Sequence, residues 1–251
     1  MMGYTHSIIG STGALAIAMA NGASDPKTYV TAVVAGALGG VIIDIDTKDN
    51  KTNPKVTDAG RTRLATLGVL LIGLTLDFFY GNGIVYKITE GSSTVIGGII
   101  IFLLILIIGY KSEHRTFTHS LLFIILTGAC VINVIPEAGE YYLIGGILHL
   151  ALDALNYPFN HHGIWLLYPI KKGKGLALGW CKSARKANKA LYFMGLIFFL
   201  MGSIYYFTCI QDIRSLIVPL LTCIYTVIST QIVRIRSERE QRHIMHMRGE
   251  I

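Results

Sequence analysis

Five places on the chain carry side chains able to hold a metal ion or move a proton: Thr5-His6-Ser7, Asp44-Ile45-Asp46, His114-Arg115, Thr118-His119-Ser120, and His149 with Asp153. His149 and Asp153 are four positions apart, so on a helix they share one face. Both can then bind one ion, or each can serve one of two neighbouring ions. Asp44 and Asp46 cannot share a face within a regular helix. They act together only if a helix ends there, and the polar TKDNKTNP run that follows supplies such an end. His114 and His119 flank a short turn. Four imidazoles and three carboxylates make a mixed nitrogen and oxygen set, which suits Zn2+ best, with Mn2+ or Fe2+ as alternatives.

Each of these elements also has a plainer reading. A single His at a helix start is ordinarily a cap or an interfacial residue, and Asp44 with Asp46 could simply solvate a helix end. A His–Asp pair inside an apolar helix is different, because burying it without a partner costs several kcal/mol. Glu113 stands next to His114 as a candidate base or supporting group. Arg115 is placed to stabilise negative charge. Asp77 sits beside Phe78, Phe79 and Tyr80, an interfacial aromatic group. His161 and His162 follow Pro158 in a loop and are accessory candidates at most, while His243 and His246 belong to a basic tail.

The elements that must position these groups are membrane helices. Of the 251 residues, 52% are apolar and only 15% are charged, well below the ~25% charged of a typical soluble domain. The mean hydropathy is +0.54. This excludes a disordered, collagenous or disulfide-scaffold protein. A bilayer core needs about 20 apolar helical residues, and the segments 64–80, 94–110, 119–135, 141–157, 191–210 and 216–233 meet that need. Two weaker segments, 6–20 and 29–43, are rich in Gly, Ala, Ser and Thr, which let membrane helices approach closely. The expected fold is an all-α, polytopic membrane bundle of about eight helices: six spans and a short leading hairpin.

Cytoplasmic loops hold an excess of Lys and Arg. With both termini inside, all of the 22 Lys and Arg residues except Lys27, Lys87 and Arg214 fall in the segments 46–63, 111–118, 158–190 and 234–251. This predicts an N-in, C-in protein. All five chemical positions then lie at the cytoplasmic ends of their helices. The net charge of +7 is that topology signal and an attraction for anionic headgroups; it does not call for nucleic acid. Cys130, Cys181, Cys209 and Cys223 have no paired spacing and read as small buried hydrophobes.

The hairpins also hint at a duplication. Thr5-His6-Ser7-Ile8-Ile9 resembles Thr118-His119-Ser120-Leu121-Leu122, and each returning helix carries Gly-Gly before its acids: Gly39-Gly40 before Asp44, Gly145-Gly146 before His149 and Asp153. A parallel repeat would set two equivalent ligand groups about one pocket.

Four motifs in order, THxxxG (Thr5 to Gly10), DID (Asp44 to Asp46), HRxxTHS (His114 to Ser120) and GGxxHxxxD (Gly145 to Asp153), resemble the YdjM family of membrane-bound proteins described as metal-dependent hydrolases. Gly163 and Tyr168-Pro169 resemble that family's downstream stretch. The likeness covers residues 1–175 and leaves the last two spans outside. Val41-Ile42-Ile43 stands where the family has Leu-Pro before its DID motif. The family is regarded as distantly similar to zinc-dependent phospholipases C and single-strand nucleases. The resemblance implies His6, Asp44, Asp46, His114, His119, His149 and Asp153 as ligands, and a metal-site domain over 1–175 followed by a basic loop, two spans and a tail over 176–251.

These readings lead to an expectation of a hydrolase at the inner face of the cytoplasmic membrane. It would act on a phosphoester, plausibly a lipid headgroup, with two or three divalent ions. Asp44, Asp46, Arg115 and Glu113 are the catalytic candidates, and membrane lipids the expected partners. Two rivals stand beside it: a divalent-cation or proton-coupled transporter, and a non-catalytic membrane scaffold or regulator whose metal is structural.

Overall fold

The computed structural model describes residues 3–47, 83–155, 163–170, 175–179 and 186–209, with single positions at 68, 71 and 75. Among them are seven helices and one isolated antiparallel bridge, Ile164 with Leu176, but no strand. The helices are α1 (Gly3–Ala20), α2 (Pro26–Ile42), α3 (Ile84–Thr89), α4 (Ser93–Lys111), α5 (Leu121–Val134), α6 (Pro136–Leu155) and α7 (Lys186–Cys209). The chain divides into two compact units, Met1–Tyr206 and Phe207–Ile251. The expected spans at 64–80 and 216–233 lie outside the described residues, apart from the single positions already named.

Local chemistry sets the boundaries. Gly22 adopts a left-handed φ of 73° just past α1, where the Ala23 amide donates to Ala18 O at 3.0 Å, closing the helix as C-terminal glycines do. Asp25 then caps α2 through Thr28 N at 2.8 Å, with Pro26 in the first turn. At the other end α2 gives way to a 3-10 turn, Ile43–Asp46, so the helix does end at the DID motif as its sequence context predicts. Ser120 caps α5, accepting from Phe123 N at 3.2 Å.

α1, α2 and α6 form the centre, and small residues decide how closely. On α1 the positions His6, Gly10, Ala14 and Ala18 recur every four residues and are all buried. On α2 the matching row is Ala32, Gly36 and Gly40, continued by Asp44; on α6 it is Gly145, His149 and Asp153. A Cβ added at Gly10 would meet Gly36 O, one at Gly145 would meet the same carbonyl, and one at Gly40 would meet His6 O. Each row places one or two ionisable residues beyond its small ones, so the contact that draws the helices together also brings those residues together.

Among the described residues, three segments are long and apolar enough to cross a membrane: Pro26–Asp46, Ser93–Lys111 and Asn188–Thr208. The first is 72% buried within the protein, the others 28% and 33%. The segment 29–43, expected to be a weak leading element, is therefore the central helix. α4 turns Ile100, Ile101, Leu103, Leu104, Ile107 and Ile108 outward, the surface a lipid-facing helix needs. α5 is a shorter apolar helix of 14 residues, and α1 and α6 fall short by composition. α7 joins the centre by polar contacts: Thr5 Oγ1 donates to Asn188 Oδ1 at 3.1 Å, and Tyr29 Oη lies 2.8 Å from Ser203 Oγ.

Candidate metal centre

One end of the bundle gathers the chemistry. His6 lies in the first turns of α1, Asp44 and Asp46 in the turn after α2, His119 immediately before the cap of α5, and His149 and Asp153 in the last turns of α6. The 114–118 turn is shaped by Arg115, which has a φ of 69°. Its amide donates to Asp46 Oδ2 at 3.1 Å and its carbonyl accepts from Trp165 N at 3.1 Å. Residues 163–170 and 175–178 complete this end, through Leu121 N donating to Leu166 O at 3.0 Å and Leu178 N to Ala154 O at 2.7 Å. All of these ionisable residues are buried except His114, whose side chain is 30% exposed.

Among the described residues, two overlapping groups could hold a metal ion: Asp44, His119, His149 and Asp153; and Asp46, His114 and His119. In the first, His119 Nε2 stands 3.5 Å from Asp44 Oδ1 and 3.3 Å from Asp153 Oδ2, and His149 Nε2 stands 3.6 and 3.8 Å from the same two oxygens. Hydrogen bonds are shorter, 2.7–3.2 Å, and neither Nε2 makes one although both are buried. Donors held at ~2.0–2.1 Å by one tetrahedral ion lie about 3.3–3.4 Å apart, so the His119 separations are close to those of a coordination shell and the His149 separations are a few tenths of an ångström wider.

The imidazoles are turned for this task. His149 Nδ1 donates to Gly40 O at 2.7 Å. A carbonyl can only accept, so the neutral ring carries its proton on Nδ1 and offers the Nε2 lone pair to the cluster. Two carboxylates facing such lone pairs in a buried place need positive charge among them. One divalent cation balances Asp44 and Asp153 in charge number, and the residues present fit it. His6 is next to this group: its Nε2 is 3.3 Å from Asp153 Oδ1, and its ring stacks on His149 with centroids 3.8 Å apart at 20°. Each hairpin thus sets its leading His against the other's acid, His6 with Asp153 and His119 with Asp44.

The structure brings together His6, Asp44, Asp46, His114, Arg115, His119, His149 and Asp153. Glu113 does not join them. It is exposed and belongs to neither donor group; its backbone carbonyl accepts from the amide and the hydroxyl of Thr116. Asp77, His161, His162, His243 and His246 lie outside the described residues. Sequence reading missed Thr118 and the Gly40 carbonyl as working parts. The Thr of the THS motif was the available signal for the first, whereas a backbone oxygen leaves no mark in a sequence.

The family description that matches this chain is YdjM inner membrane protein, over residues 1–235. The match runs past residue 175 and takes in α7, which the sequence motifs alone left outside. No curated protein and no solved structure is similar enough to match.

Proposed function

Because the chain belongs to the YdjM inner membrane protein family, we propose that it is a membrane-bound metal-dependent hydrolase cleaving a phosphoester at the cytoplasmic face of the inner membrane. The observation that supports this most is the first donor group: two buried carboxylates and two imidazole lone pairs near coordination spacing, with charge −2 to be balanced. Asp44, His119, His149 and Asp153 would hold the ion, with His6 alongside. The mixed donor set favours Zn2+. Bound there, a divalent cation supplies charge stabilisation for phosphoryl oxygens and acidity for a water molecule.

The chain's own groups have separate tasks in this reading. Arg115, buried in the turn that Asp46 holds, supports negative charge developing on the phosphoryl oxygens. Asp44, the least enclosed of the four donors, accepts a proton. The distribution of Lys and Arg supports an N-in, C-in chain of about eight helices, which puts this end of the bundle at the inner face. The basic stretch from Lys171 to Lys189 would keep anionic lipid near it.

One observation favours a second reading, a non-catalytic regulator with a structural ion. The four donors are all buried, and four protein ligands fill a tetrahedral shell, as closed structural sites do. Elemental analysis of the detergent-purified protein, combined with hydrolysis of a fluorescent phospholipid and of bis-p-nitrophenyl phosphate, separates the two. Bound metal with turnover, both lost in Asp153→Ala, supports the hydrolase. Metal without turnover refutes the hydrolase for these substrates and leaves the structural ion. Uptake of metal into proteoliposomes would instead indicate transport.

A further inference from the structure

Asp46 differs from the four donors in most of its contacts, the exception being His119 Nδ1 at 3.4 Å from its Oδ2. His114 Nδ1 lies 2.8 Å from its Oδ1, and Oδ2 accepts from the Arg115 amide at 3.1 Å and from the Thr118 hydroxyl. These are hydrogen-bond spacings, closer than the ~3.3–3.4 Å between two ligands on one tetrahedral ion. A carboxylate has no proton to give, so the hydroxyl proton of Thr118 points at Asp46. Thr118 Oγ1 also lies 3.0 Å from His119 Nδ1. With its one proton committed, that oxygen can only accept from the ring. Nδ1 of His119 therefore carries the proton, and Nε2 keeps its lone pair towards Asp44 Oδ1 and Asp153 Oδ2.

We propose that Asp46 and Thr118 are positioning residues and not ligands: a carboxylate–hydroxyl–imidazole relay that fixes the tautomer and ring angle of His119, so that this cluster holds one ion and not two. His149 obtains the same tautomer from the Gly40 carbonyl. The two imidazoles are thus set by different devices to one end, each presenting Nε2 to the same pair of carboxylates. A second ion on Asp46, His114 and His119 would need the Nδ1 that the relay protonates. It would also have to break the bonds by which Asp46 holds the 114–118 turn. This inference rests on the metal reading above and sharpens it: His114 and Asp46, ligands by family resemblance, become the outer support of one site.

The test is metal titration of the full-length protein in detergent, with Zn2+ for affinity and Co2+ for its visible absorption bands. Thr118→Val keeps the shape and removes the hydroxyl, and Thr118→Ser keeps the hydroxyl. The relay predicts one equivalent of metal in all three proteins. Thr118→Val should weaken affinity about 10–100-fold, the usual effect of losing a partner behind a ligand, with the Co2+ bands unmoved. Thr118→Ser should bind like the wild type, a rescue that a merely space-filling role would not produce. Asp46→Ala carries the same test if Thr118→Val fails to fold, because without the carboxylate the Thr118 hydroxyl is free to donate to His119 Nδ1. Affinity within twofold of wild type in Thr118→Val overturns the relay. So does a wild type that binds two equivalents, of which Asp46→Ala loses one with a changed Co2+ spectrum. A wild type that takes up neither metal removes the metal reading itself, a distinct result from a relay that fails while the metal binds.

Discussion

Gly36 is where the packing of the bundle and the geometry of its donors can be tested together. A Cβ built there would lie 2.5 Å from Gly10 O and 2.6 Å from the Ala14 side chain. A carbon approaches a carbonyl oxygen to about 3.3 Å at closest, so Gly36→Ala must part α1 from α2 by roughly 0.8 Å. Neither obstacle is the far end of a flexible side chain; one is backbone and the other a methyl fixed to it. Overpacking of this kind costs about 1–3 kcal/mol. The rows that run through Gly10 and Gly36 end at His6 and Asp44, and metal–ligand distances tolerate only about ±0.2 Å. Gly36→Ala is therefore expected both to lower the thermal midpoint in detergent and to weaken Zn2+ binding. Gly97→Ala on α4 is the control. Nothing lies within 4 Å of a Cβ there, and replacing a helical glycine by alanine is neutral or favourable by up to ~1 kcal/mol. Differential scanning fluorimetry of both variants, apo and with saturating Zn2+, reads both effects. If Gly36→Ala matched Gly97→Ala in midpoint and in the Zn2+-induced shift, the coupling of small-residue packing to the donor cluster would be refuted.

Other outcomes follow from the same geometry. His149→Ala should abolish stoichiometric Zn2+ binding, whereas His6→Ala should retain one equivalent at reduced affinity, because His6 stands outside the four-donor group; equilibrium dialysis distinguishes them. Histidine ligands must be deprotonated to bind, so the metal-bound protein carries fewer protons than the apo form. The Zn2+-induced rise in midpoint should therefore shrink as the medium is made acidic, measured as thermal midpoints at a series of falling pH values. Ser203→Ala removes one hydrogen bond of Tyr29 Oη and should cost about 1 kcal/mol with metal content unchanged, checked by denaturant titration and elemental analysis.

How much of this was readable in advance depends on what each residue's job leaves in the sequence. The donor positions were legible because an ionisable group in an apolar helix is costly and therefore conspicuous. The break at Asp44–Asp46 was legible from the polar run behind it. The weight given to the helices was not. Pro26–Ile42 looks weak because hydropathy measures fitness for lipid, and the central helix meets protein on most sides through Gly36, Gly39 and Gly40. α6 carries a buried Asp153 for the same reason, while Glu137 and Glu140 are exposed at its start. The separation of Asp46 from Asp44 was hidden too. It depends on a 3-10 turn that aims neighbouring acids at different partners, and on a turn at 114–118 whose left-handed residue is Arg115, a type that gives no warning of it.

The two readings of the centre share one physical requirement. Asp44 comes from the end of α2, His119 from the start of α5, and His149 and Asp153 from α6, so no continuous segment could assemble the donors before the bundle closes. Closure places two carboxylates among buried imidazoles, which is unfavourable until positive charge arrives. An ion that binds only the closed form stabilises it by RT ln(1 + [L]/Kd), about 4 kcal/mol at a thousandfold excess over Kd. Whether or not such an ion also acts on a substrate, it would hold this end of the bundle together. A catalytic role then requires a donor that can yield, and the geometry limits the choice. His149 is fixed by a backbone carbonyl, His119 by Thr118, and Asp153 by a regular helix between them. Asp44 alone of the four sits in a 3-10 turn and retains some exposure, which makes it the donor through which a substrate oxygen would enter.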